Sequence, residues 1–395
     1  MQIDFHHTAT YVLSRLAGFT HGDASTIAYA SQYVDDSTNR GTINFDNGKT
    51  YQRIASAHTI FDVEHNFVNT EDYEVWVPFH FLPGNNGAEA NTLPTVPLHQ
   101  RLVCSQDSPL TVDMWDECRT RKADTNALHR LGITAHVYCD TFSHQMFAGF
   151  RHQVNHVAHI KHIMPAESDV IERIESRASD ELDLGHGGAL KDPDLPYLEW
   201  RYTNGYGQDE TRLNPETFLT ASERLFSQFI YYLGRDKNST ISDPDLAVIR
   251  QMIRSNISEN PITRHQTWLG AIRDGSFSFG KLSDEESRSL NYVSFGTGSW
   301  KFTALGTTEE HDSRGHVYHY VDAFENCDWK KFHDALKGHQ DEVLNVILPK
   351  YRLPRSYNEA VETMTVGIWQ RFCWWRGVPA ARGAKQRATI RGLAP

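Results

Sequence analysis

The chain has 395 residues, 39% of them apolar and 23% charged, with a formal net charge of −11. This is a globular composition with enough length for a large core, and it excludes the disordered and fibrous classes. No stretch approaches the roughly 20 apolar residues of a membrane span, and the start lacks the basic-then-apolar pattern of a secretory leader, so a soluble cytoplasmic protein is expected.

Residues 7 to 18 place Tyr11, Val12, Leu16 and Ala17 at helical spacing, with Gly18 as a stop. A second helix is expected from Asp23, a good N-cap residue, to about Val34. Asp46-Asn47-Gly48, lying between Thr42–Phe45 and Thr50-Tyr51, resembles a short hairpin. Residues 75 to 110 are interrupted by Pro78, Pro83, Pro94 and Pro97 and read as a long connection, of a length that is often functional. From about Val112 to Phe150 the pattern is helical with one break. Residues 151 to 182 continue as a polar helix, ended by Gly185-His186-Gly187-Gly188 and Asp192-Pro193-Asp194. Further helices are expected at about 215 to 234, 244 to 258, 262 to 273 and 329 to 343, and Gly275 to Thr308 reads as a loop or small β excursion. No internal repeat is present, so the expectation is one mainly helical domain with small β excursions over residues 1–370. A tail over 371–395 follows, carrying a charge of +6. Such a tail can hold phosphates or lie solvated, while the remaining acidic body argues against bulk nucleic-acid binding. The five cysteines form no CxxC pair and are expected to be reduced structural thiols.

The 21 histidines are the unusual feature, because imidazole and carboxylate are the donors that hold zinc, iron and manganese. His136, Asp140 and His144 recur every four residues, which puts them on one helix face. The apolar neighbours Ile133, Val137 and Phe147 imply that this stripe is buried, where polar groups need either a hydrogen-bond network or a metal. Other candidates are weaker alone. His6 and His7 precede a helix, and Asp35 and Asp36 oppose the negative end of the second helix dipole unless a cation compensates. His58, His65 and His80 each lie among apolar residues, and His186 sits in a glycine loop. His129, two turns before His136, reads as an ordinary polar residue. There is no GxSxG elbow, Walker loop, GxGxxG or HExxH motif.

At these residues the sequence resembles the zinc-dependent phospholipase C and P1 nuclease superfamily, all-helical enzymes with three metals. The resemblance implies His6 as the N-terminal ligand, Asp36 (or Asp35) and His58 as an intermediate pair, and His136, Asp140 and His144 on the central helix. His186 stands for part of a later His-x3-Glu pair that has no clean counterpart. In that superfamily a mature N-terminal amine is a ligand; here Met1 looks unprocessed, and Asp4 is the nearest substitute. More closely, the chain resembles an uncharacterised microbial family that shares Trp-Val-Pro-Phe-His-Phe-Leu-Pro-Gly and the Gly-His-Gly loop, which brings no activity with it.

The expected function is therefore a metal-dependent hydrolase, a phosphoesterase holding two or three zinc ions and acting on a phospholipid, nucleotide or other phosphodiester. Whichever of Asp35 and Asp36 is not committed to metal would orient the attacking water as general base. A non-haem iron oxidase or oxygenase on the same donors is one alternative, and a non-enzymatic protein with a structural zinc site or hydrogen-bond network is the other.

Overall fold

The computed structural model describes residues 1–58, 69–92, 94–165, 183–313 and 315–364. Its helices include α1 (Thr10–Ala17), α2 (His21–Asp36), α3 (Asn69–Phe79), α4 (Leu98–Arg101), α5 (Pro109–Thr120) and α6 (Ala127–Ser143). They continue with α7 (Asn214–Tyr232), α8 (Asp243–Ser255), α9 (Pro261–Asp274), α10 (Asp284–Ser289), α11 (Trp300–Leu305) and α12 (Asp328–Glu342). The protein is thus mainly α with small β parts. Among the described residues no helix is long and apolar enough to cross a membrane.

Helix α6 is the axle. Every residue from His129 to Ser143 is buried. A helix buried all round must be packed on several sides, and α2, α5, α7 and α12 surround it. Helix α2 packs close across Gly132: a Cβ there would stand 2.4 Å from the Ile27 carbonyl oxygen, 2.7 Å from Ala30 Cβ and 3.0 Å from the Ser31 nitrogen. Three apolar clusters meet along this axle. The first holds Ala135 and Val137 with α1, α5 and α7; the second holds Ile133 and Phe79; the third holds Phe81 and Phe147. His80, between Phe79 and Phe81, lies where they join.

Strands β1 (Gly41–Phe45) and β2 (Thr50–Arg53) form the antiparallel hairpin, with the two-residue strand Val317–Tyr318 parallel to β1. A second, antiparallel sheet runs β3 (Ala158–Met164), β4 (Glu199–Thr203), β5 (Asp209–Leu213).

Four expectations are corrected. Helix α2 is capped by Thr20, whose Oγ1 accepts from the Asp23 nitrogen, so Asp23 lies inside the first turn. Residues 69–79 are helical despite Pro78. Proline cannot bond the carbonyl four residues back, and that carbonyl, of Glu74, instead accepts from Gln340 Nε2 of α12 at 2.8 Å. Of the polar helix expected over 151–182, residues Ala158–Met164 instead form β3, paired with β4, and residues 166–182 lie outside the described residues. Residues 275–308 carry the short helices α10 and α11 where a loop or small β excursion was expected. His65, Cys373, Trp374, Trp375 and the whole basic tail 371–395 lie outside the described residues. Cys104, Cys118, Cys139 and Cys327 are free thiols.

Candidate metal centre

The α6 stripe gathers donors from five other places in the chain. His136 and Asp140 project from α6, and His144 caps it, its backbone nitrogen bonding the Asp140 carbonyl at 2.8 Å. His6 comes from a π-helical turn, Asp4–Ala9, that leads into α1. Its ring stacks on His136 at 3.8 Å, and its Nε2 is 3.1 Å from Asp140 Oδ1. His80 follows the reversal that ends α3, where the nitrogens of His80 and Phe81 both bond the Trp76 carbonyl. His80 Nδ1 lies 3.0 Å from Asp140 Oδ2. Asp35, near the end of α2, brings Oδ1 to 3.8 Å from His136 Nε2 and 3.9 Å from His80 Nδ1. Asp194 Oδ1 is 3.1 Å from His144 Nε2, and Asp194 Oδ2 is 3.4 Å from His186 Nε2. Finally, the Met1 α-amine donates to Asp140 Oδ1 at 2.7 Å and Ser143 Oγ at 3.2 Å, and stands 2.9 Å from Asp194 Oδ1.

These side chains form three groups: His6, His136 and Asp140; Asp35, His80 and His136; His144, His186 and Asp194. Within each, one donor atom per residue lies within 4.8 Å of the others. The amine, touching Asp140 and Asp194, links the first group to the third.

The outer side of the centre fixes the protons. His136 Nδ1 reaches the Ser31 carbonyl at 2.8 Å, His80 Nε2 the Ser56 carbonyl at 2.9 Å, His144 Nδ1 the His80 carbonyl at 2.9 Å and His186 Nδ1 the Leu190 carbonyl at 2.7 Å. A carbonyl only accepts, so in each neutral ring the outer nitrogen carries the hydrogen and the inner nitrogen presents a lone pair. Outer-shell bonds of this kind orient ligand histidines. His6 differs: its Nδ1 is buried without a hydrogen-bond partner.

Burial lowers the pKa of three of the rings. It brings His6 down to about 4, helped by the terminal ammonium, and His186 to about 4 against the pull of Asp194. It also pushes His136 well below the usual imidazole range, with His6 adding to the effect. Burial would raise Asp140 too, but the attraction of the facing His144 and the ammonium outweighs it and holds the carboxyl well below its ordinary value. Asp194 behaves likewise, with the ammonium its strongest counter-charge. Asp35 is pushed well above the usual range by burial and then by Asp140, the response of a carboxyl short of a cation. The amine itself is held at about 11, since Asp140, Asp194 and Asp35 outweigh its burial.

The supports are costly enough to need their own partners. Arg264 of α9, fully buried, grips Asp4 through Nε at 2.7 Å and Nη2 at 3.2 Å and also bonds Gln2 and the Ser258 carbonyl. A buried pair of this kind fixes the N-terminal turn, and so the position of Met1 and His6. Asp4, the expected substitute ligand, is therefore committed to Arg264, and the Met1 amine itself reaches the centre. At the His186 turn, a Cβ on Gly185 would run into the Phe81 ring. Leu190 adopts φ 49° and ψ −122°, a strained backbone for a leucine that aims its carbonyl at His186.

The structure thus brings together His6, His136, Asp140, His144 and His186 of the sequence candidates. It places Asp35 in a donor group and leaves Asp36 and His58 outside all three groups. Asp36 accepts from Tyr292 Oη at 2.5 Å and Gln32 Nε2 at 3.1 Å, and burial raises its carboxyl. His58 lines a nearby cavity and meets the Trp76 ring edge-on at 6.1 Å. His129 pairs with Asp328 of α12, at 3.1 Å. Sequence reasoning did not commit to His80, Asp194 or the amine. His80 stood out only as one histidine among apolar residues, and Asp194 only as part of a helix-ending Asp-Pro-Asp.

The centre opens outward past Asp35, whose side chain is 30% exposed. A cavity of about 620 Å³ extends over Met1, Ile3, Asp35 and Asp36 to α9 and residues 291–295. A second, of about 350 Å³, runs from Asp35 and Asp36 past His58 to Lys301 and Glu310.

Fold and site together define a mainly helical protein whose buried donor set has the chemistry of a metal centre. The chain belongs to the family described as "Family of unknown function (DUF6765)", which matches residues 1–347. No curated protein and no solved structure matches it.

Proposed function

We propose that this protein is a metal-dependent hydrolase of phosphodiesters, with a three-ion centre of the kind found in the zinc-dependent phospholipase C and P1 nuclease superfamily. One observation carries the reading. For His136 and His186, held neutral by burial with their outer hydrogens on backbone carbonyls, the inner lone pairs face Asp140 Oδ2 at 3.2 Å and Asp194 Oδ2 at 3.4 Å. Acceptors repel one another at such distances unless a cation lies among them.

His6, Asp140 and, once it has lost its proton, the α-amine would hold one zinc ion, Asp35, His80 and His136 a second, and His144, His186 and Asp194 a third. When bound, the ions supply Lewis-acid polarisation of phosphoryl oxygens and a water acidic enough to react near neutral pH. Asp36, outside the donor groups yet on the cleft wall, takes the role of general base, oriented by Tyr292 and Gln32. It accepts one proton from the attacking water and returns it to the departing alkoxide. The water oxygen joins phosphorus as the bond to the alcohol breaks, and the second water proton leaves with the phosphomonoester. The opening past Asp35 supports a reactive site over a closed structural one.

Elemental analysis of protein purified without added metal, wild type beside His136→Ala/Asp140→Ala, tests this. Two or three equivalents of zinc, lost in the variant, are expected together with zinc-supported cleavage of bis(p-nitrophenyl) phosphate. Protein that arrives empty and cannot be loaded sinks the reading. Bound iron with oxygen-dependent chemistry would replace it with the oxidative alternative, since the same donors suit iron.

A further inference from the structure

Gln32 lies three residues before Asp35 and four before Asp36 on α2, so the three share the helix side that reaches the mouth of the centre. Its Nε2 stands 3.1 Å from Asp36 Oδ2 and 3.4 Å from Asp35 Oδ2. An amide nitrogen carries two hydrogens and an ionised carboxylate only accepts, so the nitrogen of Gln32, not its oxygen, faces the acids and gives one hydrogen to each. The remaining carboxylate oxygens keep their own tasks. Asp35 Oδ1 faces His136 Nε2 at 3.8 Å and His80 Nδ1 at 3.9 Å. Asp36 receives Tyr292 on the same Oδ2 that Gln32 uses, which leaves Oδ1 for the proton of the attacking water.

The two acids are neighbours in the chain and repel each other: Asp36 is among the charges that raise Asp35, after burial and Asp140. A donor shared between them offsets that repulsion and fixes the distance from one to the other. The rest of the amide does nothing for the fold. Gln32 is 5% exposed, and its Oε1 is buried with no hydrogen-bond partner among the described residues. A buried acceptor without a donor lowers stability, and an apolar side chain of similar length would remove that loss. Active sites commonly keep a residue that stability alone would replace.

Resting on the hydrolase reading above, we infer that Gln32 is a positioning residue: by donating to both carboxyls it ties the base Asp36 to Asp35, a donor of the ion site, so that aim of the base and retention of the ion are set together.

The test places Gln32→Met and Gln32→Glu beside wild type in the full chain. Methionine keeps the length of the side chain, and glutamate keeps its shape but, when ionised, has no hydrogen to give. Calorimetric titration with zinc should show one binding step of Gln32→Met weakened by about 10- to 100-fold, the loss an outer-shell partner causes, with the other steps as in wild type. On bis(p-nitrophenyl) phosphate at saturating zinc, both variants should lose about 10²-fold in kcat with KM within about twofold. Metal-free Gln32→Met should melt no more than about 2 °C below wild type, since an unpaired acceptor leaves together with the two hydrogen bonds. Wild-type zinc affinity and kcat in both variants overturn the inference, and so does a Gln32→Met that melts far below wild type or does not fold, because Gln32 would then serve the fold. The zinc steps are read without turnover. Wild type that holds zinc but cleaves no diester removes the hydrolase reading, and the weakened step alone then decides whether Gln32 supports Asp35; wild type that takes up no zinc removes both.

Discussion

Two sets of buried histidines, one on α12 and one around α6, part company at the second ring nitrogen. On α12, His333 and His339 are as deeply buried as the α6 set, and burial lowers each to about 3. His339 even donates to a backbone carbonyl, that of Pro78, at 3.0 Å. Its ring then stacks on Phe79, while His333 meets Trp329 edge-on at 4.3 Å. The α6 histidines share the burial and the carbonyl anchor, but their free nitrogens face Asp140 and Asp194. Burial is thus common to both sets, and what the inner nitrogen faces separates a candidate ligand from a core residue.

The sharpest way to break this contrast is the pair His136→Ala/Asp140→Ala. Zinc affinity, read by chelator competition, should fall by more than the 10- to 100-fold (about) that losing an outer-shell partner costs; retention of the metal would erase the difference between the two sets. Asp36→Asn separates chemistry from metal holding. Its kcat on bis(p-nitrophenyl) phosphate should drop by about 10² to 10⁴ at unchanged zinc content, and zinc loss instead would return Asp36 to the ligands. Gly132→Ala tests the anchor without touching a donor. The added methyl pushes α2 from α6, carries the Ser31 carbonyl away from His136 Nδ1, and should weaken zinc binding about 10- to 100-fold.

His339→Leu probes the other set and has the smallest expected effect. The unfolded ring takes up a proton below about pH 6.5, whereas the folded ring does so only near its lowered value of about 3. Between these limits the unfolded state binds more protons, so stability is lost as pH falls, by up to about 1.4 kcal/mol per pH unit for each such histidine. Urea midpoints of metal-free protein at pH 7 and pH 5 should therefore shift less in the variant than in wild type. Zinc stoichiometry should stay as it was, and an unchanged slope would show that His339 is not held neutral.

The α6 donors were legible because helical spacing is a regular signal: His136, Asp140 and His144 announce a shared face by their numbers alone. His6 and His186 were legible through local context, a histidine pair before a helix and a glycine loop. His80 and Asp194 were not, since each sits on irregular backbone, where spacing says nothing about direction. Asp35 and Asp36 could not be ranked from sequence, because adjacent residues at a helix end diverge only once Tyr292, far along the chain, claims one of them. Four of the helices after residue 210 were legible to within three residues, while α10 and α11 were not. That residues 261–295 wall the cleft was not, because apolar residues bound for a cavity look like those bound for a core.

The grip of Arg264 on Asp4 also sets a timetable. Donors reach from Met1 to Asp194, but the turn that carries Met1 and His6 is held by α9, which ends at Asp274. During synthesis the ribosome must release some 270 residues before the first six can lock into place. Closing so long a loop is slow compared with local helix formation. On the proposed function, metal uptake would then be a late checkpoint in the life of the chain, and bound metal would stabilise only molecules that have finished folding.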